Sequence, residues 1–164
     1  RVYRWTKELR GGTIHVKHFF GFASHLKSFR KGKEVVWART FIHSKEDREI
    51  DAWIGFNTTS TSDRRSGTPA EGNWGANPNC NIWINRERLT PPSWTAENGK
   101  DSPIANEVFT NRPPSKINLR KGWNEVLIRT APHWKWDFSF TPVRTEQQQI
   151  VEAQGLTYSS EIPR

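Results

Sequence analysis

Apolar side chains recur in this chain at every second position, and no long stretch shows the three- and four-residue spacing of a helix face. Ile50, Ala52, Ile54 and Phe56 alternate with Asp51, Trp53, Gly55 and Asn57. Ile14 and Val16 alternate with Thr13, His15 and Lys17, and Tyr3 and Trp5 with Arg4 and Thr6. Trp134, Trp136, Phe138 and Phe140 form an apolar face opposite the mostly polar Lys135, Asp137, Ser139 and Thr141. A period of two sends successive side chains to opposite faces of an extended ribbon, so these segments are predicted to be half-buried strands. The run from Glu34 to Ile42 is apolar on both faces, with Val35, Trp37 and Phe41 against Val36, Ala38 and Ile42. It reads as a central strand, covered on one side by a loop or a neighbouring element. Strands at such short intervals predict an all-β fold: a sandwich, a jelly roll or a closed barrel.

Gly11-Gly12, Arg30-Lys31-Gly32-Lys33 and Lys121-Gly122 read as turns between strands. Two stretches, Thr58 to Asn79 and Pro91 to Ser115, are too polar and too rich in Gly, Pro and Asn to be strands. Loops of that length inside a compact domain are usually functional or disordered. Each carries a tryptophan, Trp74 and Trp94, which disordered linkers rarely do. Gln147-Gln148-Gln149 reads as a turn before a last strand around Leu156 to Tyr158. With no internal repeat and no visible boundary, residues 1–164 are expected to form one domain.

Size and composition narrow the choice. At 164 residues the chain is too short for a (β/α)₈ barrel, which takes about 250. No apolar run approaches the roughly 18 residues of a membrane span. Cys80 is alone, so no internal disulfide forms. Methionine is absent and the chain starts at Arg1, which leads to the expectation of a fragment or a processed product that works as part of something longer.

Two local patterns are the most informative. Asn81-Ile82-Trp83-Ile84-Asn85-Arg86-Glu87-Arg88-Leu89 reads as a strand, a tight polar turn and a second strand. From Ile117 to Arg129 the chain reads Ile-Asn-Leu-Arg-Lys-Gly-Trp-Asn-Glu-Val-Leu-Ile-Arg. Ile117 and Leu119 face one way, Gly122 supplies the turn, and Val126 and Ile128 resume the inward alternation. The pair resembles galactose-binding-like β-sandwich modules, with Arg86 standing where their turn has glycine. Pro91-Pro92-Ser93-Trp94, Asn111-Arg112-Pro113-Pro114, Lys121-Gly122-Trp123-Asn124 and Gly155-Leu156-Thr157-Tyr158 narrow it further. Together they resemble the C-terminal non-catalytic module of bacterial chitobiase-type β-N-acetylhexosaminidases, of glycoside hydrolase family 20. The likeness runs over nearly the whole chain, from Gly11-Gly12-Thr13-Ile14 to the end. It implies a jelly-roll sandwich with two long loops, a parent catalytic domain as partner, and a secreted, periplasmic or cell-surface setting.

The chain itself is not expected to catalyse. Family 20 chemistry uses an adjacent Asp-Glu pair, and the nearest match, Glu46-Asp47, falls in a charged turn between two strands. Glu49 and Asp51 share one strand face, but a retaining glycosidase needs its carboxyls about 5 Å apart across a cleft. No Gly-x-Ser-x-Gly elbow, phosphate loop or dinucleotide fingerprint is present. His15 and His18, three apart on a strand, point to opposite faces and cannot chelate one ion. No cofactor is expected. Carbohydrate modules of this shape often hold a structural Ca²⁺, for which Asp63 and Asp101 are the donors on offer, without EF-hand spacing. Asn57-Thr58-Thr59 matches a glycosylation sequon.

Binding is the alternative to catalysis. An indole offers a flat apolar platform to the C–H face of a sugar, and Asn, Arg or Asp then fixes the hydroxyls. Trp74 with Asn73 and Arg65, joined by Trp94 if the two loops meet, form the expected carbohydrate site. Trp53 and Trp83, directed off the core face, are secondary candidates or contacts to a neighbouring domain. A competing reading starts from the net charge of +8. Arg30-Lys31-Gly32-Lys33, Arg64-Arg65, Arg86 with Arg88, and Arg120-Lys121 are basic clusters, and tryptophan stacks on bases, as in a single-stranded nucleic-acid module of OB type. Against it, the basic residues are scattered among 17 acids, as on an ordinary solvated surface.

Overall fold

The computed structural model of this protein describes residues 12–16, 35–56, 74, 80–91, 114–131, 137–146 and 149–161. Its strands, in chain order, are β1 (Thr13–His15), β2 (Val36–Ser44), β3 (Arg48–Phe56), β4 (Asn81–Ile84), β5 (Glu87–Arg88), β6 (Ser115–Leu119), β7 (Gly122–Thr130), β8 (Asp137–Glu146), β9 (Gln149–Glu152) and β10 (Leu156–Ser159). They form two antiparallel five-stranded sheets, and no α-helix occurs among the described residues. The first sheet runs β1-β8-β3-β6, with β9 also pairing β8; the second runs β10-β2-β7-β4-β5. Residues 45–47 carry the chain from β2 in the second sheet to β3 in the first. Residues 120–121 take it from β6 to β7, and 153–155 from β9 to β10, so these turns pass between sheets instead of closing hairpins.

Alternation decides what lies between the sheets. Ala52, Ile54 and Phe56 of β3, Ile117 and Leu119 of β6, and Phe138 of β8 join Ile42 of β2, Ile82 and Ile84 of β4, and Val126 and Ile128 of β7 in one buried cluster. Val16 is buried beside them, with Ile14 packed against the cluster, as the spacing of the first segment implies. β2 is a central strand, flanked by β10 and β7, as its two-sided apolar run suggests.

Three expectations need correction. In β8, Asp137, Phe138 and Ser139 are all buried, so the polar face expected there is absent from this end of the strand. Here β8 is hydrogen-bonded between β3 and β1, and side chains on both its faces are buried. Trp134 and Trp136 lie outside the described residues. The glutamine patch is not only a turn, because Gln149 opens β9, which pairs Glu146, Thr145, Arg144 and Val143 of β8. Finally, Trp37 on the outward side of β2 is 52% exposed, so the second apolar face of that strand is open along part of its length.

The two local patterns singled out in the sequence meet through a pair of asparagines. The β4–β5 turn holds Asn85 at φ 50° and Arg86 at φ 71°, both left-handed, as a two-residue hairpin of the right twist requires. Asn85 Nδ2 donates to Asn124 Oδ1 at 2.7 Å, and the Glu125 amide donates to Asn85 Oδ1 at 3.1 Å. Asn124 is fully buried; its Oδ1 also accepts from the Arg120 amide at 2.8 Å. Its Nδ2 donates to the carbonyls of Arg120 at 2.8 Å, Gly122 at 3.0 Å and Ile42 at 3.2 Å. One amide side chain thus fastens the β6–β7 turn to β2 and to the β4–β5 hairpin. Gly122, at φ 95°, lets the chain turn tightly enough for this.

Candidate functional site

Because β2, β4 and β7 send alternate residues inward, the residues between them stand together on the outer face of the second sheet. Register sets Trp37 opposite Arg129, Arg39 opposite Leu127, Phe41 opposite Glu125 and His43 opposite Trp123. Across the other side of β7, Trp83 of β4 faces Leu127. On β5, Arg88 faces Trp83.

Two indoles meet on this face. The rings of Trp37 and Trp83 stack with centroids 5.4 Å apart and planes 29° from parallel, reaching towards each other across β7. Trp83 is half-buried, so the more exposed Trp37 is held against a fixed partner. The Arg129 guanidinium lies 5.9 Å from the Trp37 ring centre, and that of Arg39 lies 5.4 Å from the Phe41 ring centre; both are within cation–π range. Arg39 also reaches Glu125 at 3.9 Å. Trp37, Trp83, Arg86, Glu125 and Leu127 line a shallow depression of about 250 Å³. Enclosing ligand pockets run from roughly 300 to 1,000 Å³, so this is a platform that meets one side of a ligand. At the other end of this strand pair, Trp123 of β7 is 41% exposed and packs edge-on against His43 of β2 at 5.1 Å.

A second, more polar cleft of about 420 Å³ opens where β3 and β6 approach the β4–β5 hairpin. Its charges are largely answered from within. Lys116 contacts Asp51 at 2.6 Å and Glu49 at 3.9 Å, and Arg120 contacts Glu87 at 3.1 Å. The hydrogen bond to Asp51, with the charges of Asp51 and Glu49, raises the Lys116 pKa above the ordinary lysine value, against an opposing effect of burial. Glu49 and Asp51, weighed in the sequence as a carboxylate pair, therefore share one lysine. Glu46 and Asp47 do sit in an exposed turn, where the Asp47 carboxylate accepts from the Lys121 amide at 2.5 Å.

Trp74 is not an open platform. It is 8% exposed and belongs to the core cluster. Its indole Nε1 donates to Ser115 Oγ at 2.7 Å, and its carbonyl accepts from the Phe56 amide at 2.8 Å. Burial of a large apolar ring with its N–H satisfied explains the position. Trp53 is half-buried on β3, in the other sheet from Trp37. Asn73, Arg65 and Trp94 lie outside the described residues, as do Asp63, Asp101 and His18. Among the described residues no group of three or more His, Cys, Asp or Glu side chains could hold a metal ion, and no helix is long and apolar enough to cross a membrane.

Of the expected tryptophans, Trp83 is the one the structure places on the outer aromatic face. Trp37, Arg39 and Arg129 were missed. Their signal is present, since Trp37 and Arg39 occupy alternate positions of one strand and Arg129 occupies the matching outward phase of another. Reading the outward side of β2 as covered concealed it. No protein-family model, curated protein or solved structure matches the chain.

Proposed function

We propose that this chain is a non-catalytic accessory module that binds carbohydrate on the outer face of its second sheet. We further propose a galactose-binding-like jelly roll that packs on the catalytic domain of a glycoside hydrolase of chitobiase or β-N-acetylhexosaminidase type, in a secreted, periplasmic or cell-surface setting. The paired indoles of Trp37 and Trp83 carry the reading. A half-exposed ring braced by a second ring presents a rigid apolar plane, and Arg86 and Glu125 beside it can reach sugar hydroxyls. Three chain passages between two antiparallel sheets support the jelly roll. The parent enzyme rests on the sequence motifs.

Titration with chito-oligosaccharides and galactosides, followed by tryptophan emission, tests the binding role. Saturable change is expected, with Trp37→Ala weakening affinity about tenfold through loss of the stacking plane. An unchanged Kd in Trp37→Ala and Trp83→Ala, or no response at millimolar sugar, would leave only the packing role. Turnover of a chromogenic N-acetylglucosaminide by the chain would overturn its non-catalytic assignment.

One observation favours a second reading, a single-stranded nucleic-acid module. Guanidinium groups lie over aromatic rings on the same face, an arrangement that also suits stacked bases and phosphates. Retention on single-stranded DNA with a steep log–log dependence on salt would support it, and a slope near zero would eliminate it.

A further inference from the structure

The charges around the paired indoles are unbalanced. Arg86 lines the depression with Trp37, Trp83, Glu125 and Leu127. Arg129 stands over Trp37, Arg39 stands over Phe41, and Arg88 is opposite Trp83 in register. Among the described residues of β2, β4, β5 and β7 on this face, Glu125 is the carboxylate set against these four guanidinium groups, and it contacts Arg39. Arg86 holds φ at 71°, as the hairpin turn requires, a conformation that glycine adopts freely and a long side chain at a cost.

We infer that the ligand of this face is a glycan bearing anionic groups, with a ring against the paired indoles and its acid groups met by the guanidinium groups of Arg86 and Arg129 at the two ends of β4. The inference rests on the carbohydrate-binding reading and adds to it the charge of the sugar. Guanidinium is suited to the task because its planar fork pairs with carboxylate or sulfate through two parallel hydrogen bonds. An indole beside it excludes water from one side, which strengthens the pairing relative to an open surface.

Calorimetric titration with two matched pairs of probes tests it. One pair is an oligogalacturonate and its carboxyl-reduced neutral counterpart; the other is a sulfated galactan oligosaccharide and its desulfated form. In at least one pair the acidic member should bind about tenfold more tightly at low salt, the scale of one charge-assisted hydrogen bond. Which pair shows the preference tells carboxylate from sulfate. Arg129→Gln should abolish the preference, read as the ratio of acidic to neutral affinity within a pair, whatever it does to the neutral affinity itself. Arg86→Gly should lower the same ratio, with some loss of neutral affinity because Arg86 also reaches sugar hydroxyls, and because glycine suits a left-handed turn, this variant separates loss of charge from loss of fold. Equal affinity within both pairs overturns the inference and leaves the carbohydrate reading standing. No binding of any probe, neutral chito-oligosaccharides included, removes that reading as well. Tighter arginine-dependent binding of an oligothymidylate than of either acidic saccharide overturns the inference in favour of nucleic acid.

Discussion

Asn124 shows how much of this fold hangs on one side chain. Fully buried, it serves five hydrogen-bond partners drawn from two turns and a neighbouring strand. Asn124→Ala would strand several buried polar groups at once and should cost about 3 kcal/mol, read from urea unfolding midpoints. Trp74→Ala should cost a similar amount, about 3–5 kcal/mol, because it empties a large volume from the core and leaves Ser115 without its donor. In its folded fraction that variant should keep the saccharide affinity of the parent protein. Arg86→Gly should behave in the opposite way: stability rises by up to about 1 kcal/mol as the left-handed cost is relieved, measured by thermal melting.

Strands whose two faces differ were legible from the spacing of their residues. β3 shows this best, with Ala52, Ile54 and Phe56 buried on one face and Asp51 and Trp53 only half-buried on the other. The β4–β5 hairpin was equally legible, because its turn chemistry is local. β9 was not, since Gln-Ile-Val-Glu has no marked pattern and its strand identity comes from pairing with β8. The same limit applied to Trp74, which lies in a polar stretch of sequence and reaches the core through contacts with Phe56 and Ser115. At the level of paired strands, Lys116 of β6 is held by Asp51 and Glu49 of β3, which raises its pKa. Partial burial, and then the charge of Glu152, push up the Tyr158 phenol of β10, with Arg48 opposing. Both groups hold their protons more tightly when folded. Their stabilising contribution is complete below the unfolded values of about 10 for Tyr and about 10.4 for Lys, and fades as pH rises through the higher folded values. Melting temperature should therefore fall more gently across that alkaline window in the Lys116→Gln, Tyr158→Phe double variant. An identical alkaline slope would remove both groups from the explanation.

At the scale of the whole molecule, two sheets share one core, and the outward side of one of them remains rich in indole and guanidinium. The net charge of +8 is thus given a local concentration beside an apolar plane. Saccharide binding there should weaken with added salt if the ligand is acidic and stay nearly constant if it is neutral. The position of this surface distinguishes the account from one based on loop tryptophans. The nine tryptophans provide indole N–H resonances that can be followed one by one in a ¹⁵N-labelled sample during titration with an oligosaccharide that binds. The signals assigned to Trp37 and Trp83 should move in a saturable way while that of Trp74 stays in place. Movement of Trp74 with Trp37 and Trp83 unchanged would place the ligand elsewhere and contradict the assignment of the site.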